Sequence, residues 1–95
     1  MKWPSSARND LKNLRPYDER RVTTAIANYL SQQPTQVSRS RIKLMQQPFW
    51  AQYRLRVDRF RVYYDVDDQA HVVKVLRVLD KGQGTTAVKI SDETN

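Results

Sequence analysis

Regular alternation of apolar and polar residues in the middle of the chain is the feature that most constrains its fold. In YRLRV (residues 53–57) and FRVYYDV (residues 60–66), strand-forming apolar residues occupy every second position. A period of two indicates half-buried β-strands. The two residues between them, Asp58 and Arg59, predict a two-residue loop and an antiparallel hairpin. Asp-Arg is not the preferred Asn-Gly type of turn, so a longer loop with a shifted register is the alternative.

A two-residue loop fixes which residues of the hairpin face each other. The predicted cross-strand pairs are Val57 with Phe60, Arg56 with Arg61, Leu55 with Val62, Arg54 with Tyr63, and Tyr53 with Tyr64. The apolar pairs then fall on the face that helices must cover, and the remaining pairs fall on the other face. This register predicts an open sheet surface that carries Arg54, Arg56, Arg61 and Tyr63.

The first third of the chain predicts two helices in an antiparallel hairpin. Ser5 or Ser6 is the candidate N-cap of the first helix, Pro16 ends it, and the second helix is predicted from about residue 18 to residue 33. Spacings of three and four place one apolar stripe on each helix. The stripes are Ala7, Leu11 and Leu14 on the first helix, and Val22, Ile26, Tyr29 and Leu30 on the second.

The other segments complete a small α+β domain. Residues 1–4 predict a very short strand, and residues 34–48 a long connection that Val37, Ile42 and Leu44 hold down. HVVKVLRVL (residues 71–79) is apolar on both faces, which is typical of a central strand. The predicted order is β-α-α-β-β-β, a mostly antiparallel sheet with the helices on one face. We expect one domain over residues 1–95, with a polar tail from about residue 83.

Composition narrows the classes of function. Seventeen Lys and Arg against ten Asp and Glu give a net charge of +7, which favours a polyanionic partner. The absence of cysteine and the single histidine argue against a zinc or iron site, so no metal or cofactor is expected. The N-terminal residues MKWPSSARND lack the apolar run of a signal peptide, and we expect a cytoplasmic protein without a membrane partner.

Four arginines within residues 53–68 need an explanation. Directly opposed arginines in a sheet cost up to about 1 kcal/mol, and no run of carboxylates follows them closely enough to neutralise all four. Guanidinium groups bind phosphate oxygens through two parallel hydrogen bonds, and Tyr63 offers a ring on which a base can stack. The alternative is a solvated basic surface, partly paired with Asp65, Asp67 and Asp68.

The order of these segments resembles the RelE/ParE superfamily of toxins of bacterial type II toxin–antitoxin systems. LRVDRFRVYYDVDD followed by VVKVLRVLDKG resembles the strand, turn and strand pattern of that superfamily, and ARNDLKNL and the QQP after the second helix also fit it. The resemblance covers about residues 5–82. Its RelE branch implies a ribosome-dependent endoribonuclease that cuts mRNA in the ribosomal A site without metal, through attack of the 2′-hydroxyl on the adjacent phosphate.

The resemblance also implies candidate site residues. By position, Arg54 stands where the family has a lysine, Arg61 matches a family arginine, and Lys81 falls where a basic residue follows the last strand. Arg54 and Arg61 are expected to stabilise transition-state charge, and Lys81 to transfer a proton, since arginine does not give up its proton. The candidate RNA-binding residues around them are Arg41, Lys43, Arg56, Arg59 and Tyr63.

The resemblance implies partners and leaves the target open. A cognate antitoxin is implied, typically an acidic segment that wraps the toxin, together with the ribosome and mRNA. Many RelE-type nucleases carry a tyrosine or histidine near the C-terminus, where this chain has residues 85–88 (TTAV). This difference leaves a weaker nuclease, another acid or an inactive protein open. The alternatives are a ParE-like inhibitor of DNA gyrase and a noncatalytic RNA-binding module.

Overall fold

The structure, a computed structural model, describes residues 1–81 and confirms the α+β class. Two helices precede four antiparallel strands, which form one sheet in the order β1-β2-β3-β4. Within the described residues, neither helix is long and apolar enough to cross a membrane. The elements are α1 (Ser5–Lys12), α2 (Pro16–Leu30), β1 (Ile42–Leu44), β2 (Tyr53–Val57), β3 (Phe60–Asp67) and β4 (Val72–Asp80).

The first strand of the sheet is not where the sequence placed it. Residues 1–4 make only an isolated parallel bridge between Lys2 and Lys74. One strand of the sheet, β1, lies instead within residues 34–48, which were predicted to form a connection, and it pairs with β2. Only Ile42 among its expected anchors is buried, while Val37 and Leu44 are exposed. A three-residue strand, in a segment bounded by Pro34 and Pro48, is too short to show a period in the sequence, so the pattern predicted a loop.

Both helices lie close to their predicted positions, but the residues at which they begin and end differ from the prediction. Pro4, not a serine, is the N-cap of α1, and its backbone is extended, so the helix begins at Ser5. α1 ends at Lys12, with Asn13 as its C-cap, so Pro16 does not end it; Pro16 occupies the first turn of α2 instead, where a missing N–H costs nothing. Tyr29 was expected in the buried stripe, but it is 37% exposed.

The hairpin has the predicted register. All five expected pairs of β2 and β3 are present, from Val57 opposite Phe60 to Tyr53 opposite Tyr64. Asp58 makes the tight turn possible with a positive φ of 54°, a conformation that aspartate tolerates better than most residues. The loop between the strands is therefore two residues long.

The strand β4 lies at the edge of the sheet, which corrects its prediction as a central strand. Its outer edge is nevertheless covered. Lys2 forms two backbone hydrogen bonds with it, to Val73 O (2.7 Å) and from Val75 N (3.0 Å). Further along, Ser6 Oγ donates to the carbonyl oxygen of Leu76 (3.1 Å). β4 is apolar on both faces because α1 covers one face and a second apolar cluster covers the other.

Apolar side chains pack on both sides of the sheet. The main core lies between the helices and the sheet and contains Ala7, Val22, Ile26, Leu30, Ile42, Leu55, Val57, Phe60, Val62, Tyr64, Val73, Val75 and Val78. The smaller cluster, on the opposite face, contains Ala51, Tyr63 and Leu79, with Met45, Phe49, Trp50 and Leu76 packed against them. The second cluster reduces the open part of the sheet to the end near the hairpin turn.

Candidate nucleic-acid interface

The side chains of Lys43, Arg54, Arg56 and Arg61 define the basic face of the sheet. Arg56 lies directly opposite Arg61 in the β2–β3 ladder. Arg54 lies opposite Lys43 on its other side, in the β1–β2 ladder. Because side chains two residues apart on a strand share a face, the sheet brings these four cations to one surface. The predicted convergence of Arg54, Arg56 and Arg61 follows from the confirmed register.

The hairpin turn holds one end of the Arg61 guanidinium. Its Nη1 donates to the carbonyl oxygens of Asp58 and Phe60, each at 3.0 Å. Within residues 1–81, no side chain makes a hydrogen bond or ion pair with its Nε or Nη2. The donors on that edge of the guanidinium are therefore available to an external acceptor.

Two other arginines show what this edge of a guanidinium binds. Arg21 uses Nε and Nη2 to bind both oxygens of Asp58, at 2.6 and 3.1 Å. Arg77 uses the same atoms on Asp10, at 2.7 and 3.1 Å. A phosphate offers two oxygens in a similar arrangement. The open edge of Arg61 is thus suited to a phosphate or carboxylate from outside the described chain.

Electrostatics in the basic face favours an anion. Partial burial lowers the pKa of Arg61, the positive charges of Arg54 and Arg56 lower it further, and the nearby Tyr63 and Asp80 offset a part of this decrease. Repulsion among these cations is relieved when an anion binds between them. In the described part of the chain, no acidic side chain forms an ion pair with any of the three arginines.

The nearby aspartates Asp65 and Asp67 bind backbone N–H groups. Asp65 Oδ1 accepts a hydrogen bond from the backbone N–H of Gln52 at 2.8 Å. Asp67 Oδ1 accepts from the N–H groups of Gln69 and Ala70 at 3.1 Å each. The Asp65 bond ties β3 to the segment before β2, and the Asp67 bonds shape the β3–β4 turn; neither set neutralises the arginines. The partial pairing with Asp65 and Asp67 that the alternative of a solvated basic surface included is therefore not seen.

The ring of Tyr63 is covered, so the expectation of an open stacking surface is wrong. Tyr63 is only 5% exposed. The ring of Trp50 packs on it with centroids 4.7 Å apart, and the ring of Phe49 lies at 5.8 Å. Phe49 and Trp50 stack on each other at 5.1 Å. The sequence signal for this lid was the adjacent aromatic pair after Pro48, but only the tertiary fold shows that it covers Tyr63.

Two further candidate RNA-binding residues point away from the basic face. Arg59 forms an ion pair with Asp80 at 2.9 Å and lies 3.9 Å from Asp18. The guanidinium of Arg41 lies 5.3 Å from the ring centroid of Tyr29 on α2. These contacts with the chain's own acids and ring do not support the expected contribution of Arg41 and Arg59 to RNA binding.

Lys81 is the last described residue and lies at the hairpin end of the sheet. Its backbone N–H donates to the carbonyl oxygen of Arg59 at 2.8 Å, and its side chain is exposed. Within residues 1–81, no group of three His, Asp or Glu side chains is placed to hold a metal ion. The polar tail, the glycines of KGQGTT and residues 85–88 lie outside the described residues.

The described residues thus form a small α+β fold with a basic face on its sheet. Comparison with known proteins then gives the family. The family model described as ParE toxin of the type II toxin–antitoxin system, parDE, matches residues 1–84. The chain therefore belongs to the RelE/ParE superfamily of type II toxins, and the resemblance seen in the sequence is confirmed. None of the curated proteins compared with the chain matches it.

Solved structures of toxin–antitoxin complexes share the fold. A chain of the RelBE2 toxin–antitoxin complex from Mycobacterium tuberculosis superimposes with a TM-score of 0.72 and 26% identity, covering 83% of this chain and 86% of that chain. A chain of the RelB–RelE antitoxin–toxin complex from Methanococcus jannaschii gives a TM-score of 0.66 and 17% identity, with coverages of 92% and 98%. The second similarity concerns the fold alone.

Proposed function

We propose that this type II toxin is a ribosome-dependent endoribonuclease that binds a phosphodiester of translated mRNA on its basic face. The observation that carries the proposal is the Arg61 guanidinium, which the hairpin turn holds at Nη1 while Nε and Nη2 face no described partner. Arg54 and Arg56 lie beside it without a described carboxylate. Such a group is preorganised to bind phosphate oxygens.

The proposed reaction transfers the phosphoryl group within the RNA. The 2′-hydroxyl oxygen attacks the adjacent phosphorus, the bond to the 5′-oxygen of the next nucleotide breaks, and a 2′,3′-cyclic phosphate and a free 5′-hydroxyl result. Arg54 and Arg61 stabilise the negative charge that builds on the phosphate oxygens, and one such donor is worth about 2.7–4 kcal/mol. Lys81 is the candidate for proton transfer, because an arginine stays protonated. The ribosome helps to place the 2′-hydroxyl in line.

An acidic antitoxin is the proposed protein partner. Both structural neighbours are toxin–antitoxin complexes. The net charge of +7 on 95 residues favours an acidic protein, whose binding also stabilises a small domain. Such a partner would compete with RNA wherever it reaches the basic face.

Inhibition of DNA gyrase is the second candidate function. The family model that matches the chain is that of a ParE toxin. The covered ring of Tyr63 also removes the stacking surface that favoured RNA over a protein target. A noncatalytic RNA-binding module is the third, since the basic face alone is sufficient for it.

The test uses a translating extract with one defined mRNA, in which RNA 5′ ends are mapped after toxin is added. We expect cuts in phase with the codons, and a decrease of cleavage by about 10²–10³ for Arg61→Ala. Lys81→Ala is expected to slow cleavage as well. Arg8→Ala is the matched control, because it removes an exposed arginine from α1 and should leave cleavage unchanged.

A gyrase supercoiling assay runs in parallel with the same proteins. Inhibited supercoiling with intact mRNA would establish the second candidate, and binding of RNA without cleavage would establish the third. Full cleavage by Arg61→Ala would remove the basis of the assigned site.

A further inference from the structure

The hairpin turn between β2 and β3 carries a carboxylate close to the open edge of the Arg61 guanidinium. The carbonyl oxygen of Asp58, the first residue of the turn, accepts a hydrogen bond from Arg61 Nη1 at 3.0 Å. The carboxylate of the same residue binds Nε and Nη2 of Arg21 on α2, at 2.6 and 3.1 Å. Asp58 therefore contacts two guanidinium groups, one with its backbone and the other with its side chain.

Arg61 is an alternative partner for the Asp58 carboxylate. Its Nη1 already lies within hydrogen-bond distance of the Asp58 backbone, and its Nε and Nη2 have no side-chain partner within residues 1–81. These two donors are the pair that binds a carboxylate in Arg21 and in Arg77. The Asp58 side chain is 49% exposed, and exposed side chains change rotamer rapidly. Without Arg21, the carboxylate would be free to turn toward Arg61.

Arg41 is the other cation that acts on this carboxylate, but its guanidinium is already engaged. The charge of Arg41 lowers the pKa of Asp58. Its Nη1 donates to the carbonyl oxygen of Arg56 at 3.3 Å, and its guanidinium lies 5.3 Å from the ring centroid of Tyr29. Arg61 has two open donors on the same turn, so it is the favoured second partner of Asp58.

The Asp58 carboxylate keeps its charge whether or not Arg21 binds it. The hydrogen bond with Arg21 lowers the pKa of Asp58, burial offsets a part of this decrease, and the charges of Arg21 and Arg41 lower it further. An aspartate without such partners still titrates near pH 4, so it is ionised at neutral pH. Loss of Arg21 would thus leave a charged group beside Arg61 that competes with an external anion.

The second residue of the turn shows a similar arrangement. Arg59 binds Asp80 at 2.9 Å. The charge of Asp80 acts on Arg61, since it offsets a part of the decrease in the pKa of Arg61. Asp58 and Asp80 are thus each bound by an arginine that does not belong to the basic face.

We infer that Arg21 is a positioning residue of the basic face, which binds the Asp58 carboxylate and thereby keeps the Nε and Nη2 edge of Arg61 open for an external anion. The inference rests on the proposed function for the nature of that anion, a phosphodiester. It assigns a role in the site to α2, which packs on the opposite face of the sheet. When Arg21 is absent, the Asp58 carboxylate occupies the edge that the phosphate needs.

A double-mutant cycle in the full chain tests this role. Arg21→Ala frees the Asp58 carboxylate, Asp58→Asn removes its charge, and a third variant combines both changes. Asparagine tolerates the positive φ of 54° at position 58, so the turn is kept. Arg20→Ala is the matched control, because it removes the neighbouring exposed arginine of α2, which forms no ion pair in the described part of the chain.

The Nε–H signal of Arg61 in NMR spectra reports on the open edge without any ligand, and Arg61→Lys identifies it by its loss. We expect the signal to shift in Arg21→Ala toward that of a carboxylate-bound guanidinium, for which Arg77 is the reference in the same spectrum. It should return to its original position in the double variant. An unmoved signal in Arg21→Ala, as capture of the carboxylate by Arg41 would give, would overturn the inference. So would a shift that persists in the double variant, since Arg21 would then act only on the shape of the turn.

Binding of RNA measures the consequence for the site. The probe is a short single-stranded RNA with methylated 2′-hydroxyl groups, which cannot be cleaved through 2′-hydroxyl attack. We expect Arg21→Ala to bind it about fivefold more weakly than Arg20→Ala does, the upper range for competition by an exposed ion pair. Asp58→Asn should restore binding in the Arg21→Ala chain and change little when Arg21 is present. Equal affinities of Arg21→Ala and Arg20→Ala, or a double variant as weak as Arg21→Ala, would contradict the role of Arg21.

Cleavage in the translating extract separates this inference from the proposed nuclease. Absence of cleavage by every variant, with the expected Arg61 signals and RNA affinities, contradicts the proposed function and leaves the role of Arg21 standing. Cleavage by Arg21→Ala at the rate of the unchanged chain, with an unmoved Arg61 signal, contradicts the role of Arg21 alone.

Discussion

The arginines of this chain have different roles, which depend on the group that each guanidinium contacts. Arg77 binds Asp10, which lies 67 residues away in the sequence, and Arg21 binds Asp58, which lies 37 residues away. Within residues 1–81, the hydrogen bonds of Arg61 go to backbone carbonyls, through Nη1. The sequence could give the face on which an arginine lies, because strand alternation is local. It could not give the partner, because each carboxylate comes from a distant segment.

Tyr64 illustrates a single residue whose titration reports on the fold. It is fully buried, and its hydroxyl donates to the carbonyl oxygen of Pro34 at 2.5 Å. Burial raises the pKa of Tyr64 above its ordinary value, and the nearby Tyr53 raises it further. The folded state therefore keeps its proton at a pH where the unfolded state loses it. Its contribution to stability is complete below pH about 10 and is lost as the pH rises toward the folded-state pKa.

We expect the free energy of unfolding to fall by about 1 kcal/mol more between pH 9 and pH 11 in the unchanged chain than in Tyr64→Phe. Urea denaturation at the two pH values measures this difference. The variant loses one hydrogen bond at both pH values, so the comparison of slopes isolates the ionisation. Equal slopes would show that Tyr64 ionises normally in the fold.

At the scale of elements, the hairpin was predictable and the edges of the sheet were not. Alternation over residues 53–66 fixed the faces and the two-residue loop fixed the register, and both are confirmed. The pattern could not identify β1, which has three residues, or the edge position of β4, whose two apolar faces are typical of a central strand. Both faces of β4 are buried because apolar side chains pack on both sides of the sheet. An edge strand can therefore have two apolar faces, as a central strand does.

The contact of α1 with the β4 edge gives a prediction at this scale. Asp10 accepts hydrogen bonds from Arg77 Nε, Arg77 Nη2 and the backbone N–H of Val78. The Asp10 side chain is only 13% exposed. Its hydrogen bonds with the Arg77 guanidinium raise the pKa of Arg77. Asp10→Ala is expected to cost about 2–3 kcal/mol of unfolding free energy, since it leaves partly buried donors unpaired.

Urea denaturation at neutral pH measures this cost, with Arg21→Ala as the control. Arg21 and Asp58 form a similar bidentate pair, but both side chains are about half exposed, at 48% and 49%. Exposed pairs are typically worth about 0–1 kcal/mol. Equal losses in the two variants would mean that Asp10 does not hold α1 on the sheet.

At the scale of the whole molecule, the fold determines where on the surface the net charge of +7 can attract a partner. Within the described residues, carboxylates pair with arginines at the helices and the turn, and the basic face keeps its arginines without such pairs. Three adjacent arginines without a described ion-pair partner therefore make this face a local concentration of positive charge. Electrostatic attraction of a polyanion should depend on these arginines more than on the total charge.

Salt dependence of RNA binding tests this concentration of charge. For single-stranded RNA, each phosphate contact adds about 0.7 to the slope of log affinity against log salt. The triple variant Arg54→Ala, Arg56→Ala, Arg61→Ala should thus reduce the slope by about 2. The control removes three charges elsewhere, as Arg8→Ala, Lys12→Ala, Arg20→Ala, and should largely keep the slope. Similar reductions in both would indicate that only the net charge matters.

By itself the sequence determined the α+β class, the helical stripes and the hairpin register, because periodicity and turn length act between neighbouring residues. The resemblance to the RelE/ParE superfamily also came from the sequence and is confirmed. The tertiary structure alone decided that Phe49 and Trp50 cover Tyr63, that Arg59 meets Asp80, and that Arg61 keeps an open edge. These outcomes depend on which distant side chains the fold brings within a few ångströms of each other, and no local pattern encodes that.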